Sequence, residues 1–78
     1  MSDFRPIRHA SELAGSLHKL AKMLGVTPAI VHRWATGEQE VPIIRAVEIE
    51  VLTNGTVTRQ QLRPKDWKQI WPELRDRE

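Results

Sequence analysis

The tightest constraint on this chain lies in residues 20–37, LAKMLGVTPAIVHRWATG. Two short runs with helical periodicity, LAKML and IVHRWA, are separated only by Gly25-Val26-Thr27-Pro28. Glycine after an apolar run favours a left-handed helix end, and Thr-Pro favours a new start, with threonine as cap and proline in the first turn. The joint is too short for two helices lying side by side, so the chain must turn a sharp corner. At such a corner Ala21 falls where the helix axes cross, and a larger side chain there would force them apart. A Cβ at Gly25 would carry the steric cost of the left-handed conformation. Leu20, Leu24, Val26, Ile30, Val31 and Trp34 then point inward and set the angle.

At 78 residues the chain is one domain, of a size that buries only about 60% of its unfolded surface and leaves little room for a deep catalytic cleft. It has no cysteine, which excludes a disulfide scaffold and a thiolate metal site. The polar start MSDFRPIRHASEL lacks the apolar core of a secretory signal, and no later run is long enough to span a membrane, so the expectation is a cytoplasmic protein. Net charge is only +2, but it is unevenly placed. Arg5, Arg8, Lys19, Lys22 and Arg33 outweigh Asp3 and Glu12 in residues 1–37, whereas Glu38, Glu40, Glu48 and Glu50 face Arg45 alone in residues 38–50. A basic half beside an acidic segment suits one face to a polyanion, although an ordinary solvated surface gives the same count.

Punctuation divides the rest. Gly15, Gly25, Gly37 and Gly55 close apolar runs, while Ser16, Thr27-Pro28, Pro42 and the capping box Thr58-Arg59-Gln60-Gln61 open them. The spacing predicts helices near 8–14, 17–24, 28–36, 42–53 and 59–62: an all-α bundle of about five short helices. Thr56-Val57-Thr58 is β-compatible but too short for a sheet. Residues 1–62 form the bundle, with its corner motif at about 17–36. Residues 63–78 form an apolar and basic tail in which Trp67, Ile70, Trp71 and Leu74 recur at helical spacing, and Pro72 should disturb the backbone at Trp71. Such a stripe either packs back on the bundle or pairs two copies, Trp71 and Leu74 being the better interface candidates and Thr56-Val57-Thr58 an alternative contact by strand pairing.

A small residue, a glycine four positions on, an apolar residue next to it, and later Val31 and Trp34 make the pattern of a helix-turn-helix. From about Glu12 to Trp71, through LAKMLGVTPAIVHRWATG, VPIIRAVEIEVLTNGTVTRQQLRP and DWKQIWPEL, the chain resembles the Cro superfamily of small phage-type repressors, most closely the YdaS-like regulators, which are described variously as Cro-like repressors or antitoxins. The resemblance implies a lambda-repressor-like fold and a repressor, of phage or prophage origin, that binds a double-stranded DNA operator as a homodimer. It places base reading at Pro28, Ala29, His32 and Arg33 and a phosphate contact at Thr27. Arg33 can donate two hydrogen bonds to guanine, His32 can donate to an acceptor, and Ala29 can lie against a thymine methyl. Ser16, Lys19, Lys22 and Thr36 complete the backbone set. Such proteins often carry glutamine at the start of the first motif helix, where this chain has Leu17, so anchoring falls to Ser16, Lys19 or Lys22. Thr27-Pro28 is also a sufficient helix start without DNA, and exposed lysines or arginines are often only solvated.

Other chemistry has little support. His9, His18 and His32 lack metal-ligand spacing, no cofactor motif is present, and Glu48 and Glu50, two apart on a helix, are a poor acid-base pair, better read as solvated or partner-facing charge. Arg45 and Glu48, three apart, suit a helix-surface ion pair. The rival function is an antitoxin-like protein that neutralises a toxin-like partner through its acidic segment or its tail, DNA binding then being autoregulatory. An enzyme is not expected.

Overall fold

The computed structural model describes residues 4–77 and contains, among them, six α-helices, a terminal 3₁₀ helix at Pro72–Arg77 and no strand. The α-helices are α1 (Arg5–Ala14), α2 (Leu17–Leu24), α3 (Pro28–Thr36), α4 (Ile43–Leu52), α5 (Arg59–Leu62) and α6 (Trp67–Ile70). The protein is a small all-helical bundle in which α1, α2 and α3 pack on one another and α4 packs on α2 and α5.

Most boundaries follow local chemistry. Ser16 Oγ accepts from the Lys19 N–H at 3.1 Å, and Thr27 Oγ1 accepts from the Ile30 N–H at 3.3 Å. In the capping box the Thr58 N–H donates to Gln61 Oε1 at 3.1 Å and the Gln61 N–H to Thr58 Oγ1 at 3.2 Å. α1 begins three residues before the expected 8, because Pro6 sits in the first turn, where no N–H is required. The Phe4 N–H, just ahead of it, donates to Ala35 O at 2.7 Å and ties the start of α1 to the end of α3.

The corner closes as its residues dictate. Gly25 is left-handed at φ 74°, the Val26 N–H reaches back to Ala21 O at 3.0 Å, and the Gly25 N–H reaches Lys22 O at 3.2 Å. These two bonds satisfy carbonyls that the end of α2 would otherwise leave bare. Ala21 is buried at the crossing, and Leu20, Leu24, Val31 and Trp34 surround it in the core, with Val26 and Ile30 packed at its edge.

Two features of the last third bear on alternatives that the sequence left open. Trp67 and Trp71 are only 9% and 8% exposed, inside the same core as Trp34, so the tail is part of the bundle and little of either indole is left to face a partner. Ile70 and Leu74 pack partly against that core. α6 gives way to the 3₁₀ helix at Trp71 (φ −126°, ψ 70°), as the residue before Pro72 is sterically excluded from helical geometry. The second is Thr56-Val57-Thr58, which is neither strand nor free edge. Val57 is fully buried, its N–H donates to Thr53 Oγ1 at 3.1 Å, and Thr58 caps α5. Strand pairing across a two-fold at this segment would have to break those bonds.

Candidate nucleic-acid interface

α3 is divided lengthwise. Val31, Trp34 and Ala35 are buried, while Thr27, Ala29, His32 and Arg33 are exposed and Pro28 and Thr36 half-exposed. The division follows from turns of about 3.6 residues: the inward positions recur every three or four residues, and the polar ones fall between them. Pro28, Ala29, His32 and Arg33 lie together along one shallow depression, whose other wall is made by Leu17 and His18 at the start of α2 and by Glu38. The corner therefore brings the first turn of α2 beside the outer face of α3.

Each side chain there can do a limited set of things. Arg33 presents a planar donor fork and His32 an imidazole that donates or accepts. Pro28 and Ala29 supply a low, apolar surface close to the backbone. The hydroxyls of Ser16 and Thr27 are already acceptors for their helix starts, but each retains its own proton to donate, and both stand beside backbone N–H groups at helix N-termini, where an anion is favoured. Thr36 differs. Its hydroxyl donates to Arg33 O at 3.2 Å and accepts from the Glu38 N–H at 3.4 Å, so it closes the end of α3. Lys22 is exposed on α2, while Lys19 lies over Gly15, where an added Cβ would come within 2.9 Å of Lys19 Cδ.

Three neighbours were given no site role from sequence: Leu17 marks the place where the resemblance expects glutamine, Arg8 is one charge of the basic half, and His18 was weighed only as a metal ligand. His18 and Leu17 enter because α2 starts beside α3, and Arg8 lines a depression with Ser16 and Leu17 at the same end of α2. The buried Ser11 Oγ, which borders that depression, has no protein partner.

The acidic segment is largely neutralised within the chain. Arg45 Nη1 donates to Glu48 Oε1 at 2.7 Å, the helix-surface pair expected from their spacing. Arg63 Nη2 lies 3.6 Å from Glu40 Oε1 and pairs with both carboxylate oxygens of Asp66. Glu50 is not the solvated or partner-facing charge its spacing suggested. Its Oε1 accepts from the Arg59 N–H at 2.8 Å and from Arg59 Nε at 2.9 Å, and the Arg59 guanidinium lies 5.4 Å above the Trp71 ring. Partial burial pushes the Glu50 carboxyl up, but the Arg59 hydrogen bonds and charge prevail and hold it below the ordinary carboxylate range.

Among the described residues no group of three or more histidines or carboxylates is placed to hold a metal ion, and no helix is long and apolar enough to cross a membrane. Residues 7–70 match the family described as "Bacterial toxin YdaS". The chain is also 34% identical over 64 residues to the "Putative transcriptional regulator YdaS" of Escherichia coli (strain K12), a match covering 81% of this chain and 65% of that relative, so it spans a little under two thirds of the relative's length. With a family match over most of its residues, from within α1 to the end of α6, the chain belongs to the YdaS family.

Proposed function

We propose that the protein is a sequence-specific DNA-binding transcriptional regulator, a Cro-like repressor of phage or prophage origin, whose α2 and α3 act as a helix-turn-helix on a short operator. The observation that carries this reading is the division of α3: Pro28, Ala29, His32 and Arg33 share one outer depression while Val31, Trp34 and Ala35 lock the opposite face into the corner. A helix held so rigidly and presented so openly suits insertion into a major groove about 12 Å wide. Arg33 and His32 read base edges, Ala29 and Pro28 allow close approach, and Ser16, Lys19, Lys22, Thr27 and Arg8 hold phosphates. With so few reading groups, one copy discriminates only a few base pairs, so two half-sites and a dimer are needed. Repression follows from occupying a promoter.

Selection of bound sequences from a random duplex pool tests this. Wild type should enrich a short, two-fold related sequence, and Arg33→Ala should lose preference at one position in each half while keeping its helical content. Failure to enrich any sequence refutes the reading. A single protein recovered with the tagged chain in equal amount from its native cells, without DNA enrichment, would favour the toxin-partner alternative. Pairing of Glu40, Glu48 and Glu50 with cations inside the chain weighs against an acidic docking surface.

A further inference from the structure

Four of the six large apolar side chains left exposed among the described residues lie on α4: Ile44 is 70% exposed, Val51 68%, Ile43 45% and Leu52 40%. Ile44 and Val51 are seven residues apart and so stand nearly in line, about 10 Å apart along the axis, with half-buried Val47 between them and to one side. On the opposite face Ala46 and Ile49 are fully buried. α4 is thus apolar on two sides, and a helix of that kind is stable in water when both are covered. The bundle covers one.

We propose that the outer face of α4 is the self-association surface, covered by α4 of a second copy running antiparallel across a two-fold axis near Val47 and Glu48. Such an axis sets Ile44 against the partner's Val51 and Val51 against the partner's Ile44, the reciprocal relation an isologous interface requires. The charges fit the same operation. Arg45 and Glu48 lie on one edge of the apolar stripe, and in an antiparallel face-to-face pair that edge meets itself. The two Glu48 carboxylates then approach one another across the axis, each flanked by its own Arg45, 2.7 Å away, and by the partner's Arg45, so that the four charges form a neutral cluster. The other edge carries Ile43 and Val47. The charge on that flank, Glu50, is turned to Arg59, so no unpaired charge need be buried. A self-complementary stripe with a self-complementary ionic edge points to a second copy rather than to an unrelated helix. The use of this dimer on paired half-sites rests on the regulator reading; the association itself does not.

The absence of cysteine permits a direct test of orientation. Ile44→Cys and Val51→Cys proteins are prepared separately and oxidised alone or mixed, without DNA. The antiparallel arrangement brings only unlike positions within disulfide reach, so the mixture should cross-link at least about tenfold faster than either protein alone. Sedimentation supplies the second arm. Wild type should associate, and the double variant Ile44→Glu with Val51→Glu, folded by circular dichroism, should be monomeric, its dimer weakened at least about tenfold. Monomeric wild type at ~1 mM, equal cross-linking in all three samples, or a folded double variant that associates as wild type does overturns the proposal. If the double variant does not fold, the cross-linking arm decides alone. Wild type that associates by this face yet enriches no DNA sequence refutes the regulator reading and leaves the interface standing.

Discussion

Arg45 on α4 donates through Nη1 to the carbonyl oxygen of Leu24, the last residue of α2, at 3.0 Å, while the same nitrogen donates to Glu48 at 2.7 Å. A cation thus stands at the C-terminal end of the helix that precedes the corner, where the helix dipole favours it, and satisfies a carbonyl the corner leaves bare. Arg45→Met should keep the aliphatic packing but lose both bonds, destabilising the fold by about 1–2 kcal/mol in urea titration. If the clamp also fixes the position of α3, operator affinity should fall more than Glu48→Gln lowers it, since that change spares the bond to Leu24.

Acid should weaken the fold through Glu50. Its carboxyl is held below the ordinary value of 4.5, so the unfolded chain takes up this proton first as pH falls. The contribution is fully present above pH 4.5 and is lost as pH drops through the folded-state value. Asp66 acts in the same direction from an ordinary 3.8, its carboxyl held down chiefly by hydrogen bonds from Arg63. Glu50→Gln should lose about 1–2 kcal/mol at pH 7 and show a flatter stability profile below pH 4.5. Thermal melts in a pH series measure both effects.

Gly25 and Gly15 should respond differently to alanine. At Gly25 the space an added Cβ would occupy is empty, so only the left-handed conformation at φ 74° is penalised, at about 1–2 kcal/mol. At Gly15, with φ 113°, the Cβ also meets Lys19 Cδ at 2.9 Å. Gly15→Ala should therefore be destabilising and should displace Lys19 as well. A loss of DNA affinity after correction for the unfolded fraction would identify Lys19 as a phosphate contact.

Charge changes beside the reading face should separate two kinds of contact. Lys22→Ala should weaken binding to all sequences alike and reduce the salt slope by about one unit. Glu38 borders the same depression as Arg33 and His32 and repels phosphate, so Glu38→Gln should tighten binding generally without altering the selected sequence. Competition binding at several salt concentrations distinguishes these from Arg33→Ala, which should change the preference itself.

What the sequence determined by itself was local. The Ser16, Thr27 and Thr58 caps, the left-handed Gly25 and Gly37, the Arg45–Glu48 pair and the divided face of α3 were all legible. Each rests on bonds or side-chain spacings within about four residues, where the helical repeat alone decides which groups meet. Tertiary structure decided what lies further apart: Arg45 on Leu24, 21 residues away, Arg63 on Val41, 22 away, and Arg59 joining Glu50 to Trp71. It also decided which apolar residues face water. Trp67 and Trp71, whose helical spacing fits either the bundle or a partner, are inside the core, because α5, α6 and the turn at Val57 fold the tail over the bundle. α4 carries apolar residues on every side, so its periodicity selects no inner face. Only contact with α2 and α5 places Ala46 and Ile49 inside and leaves Ile44 and Val51 in solvent.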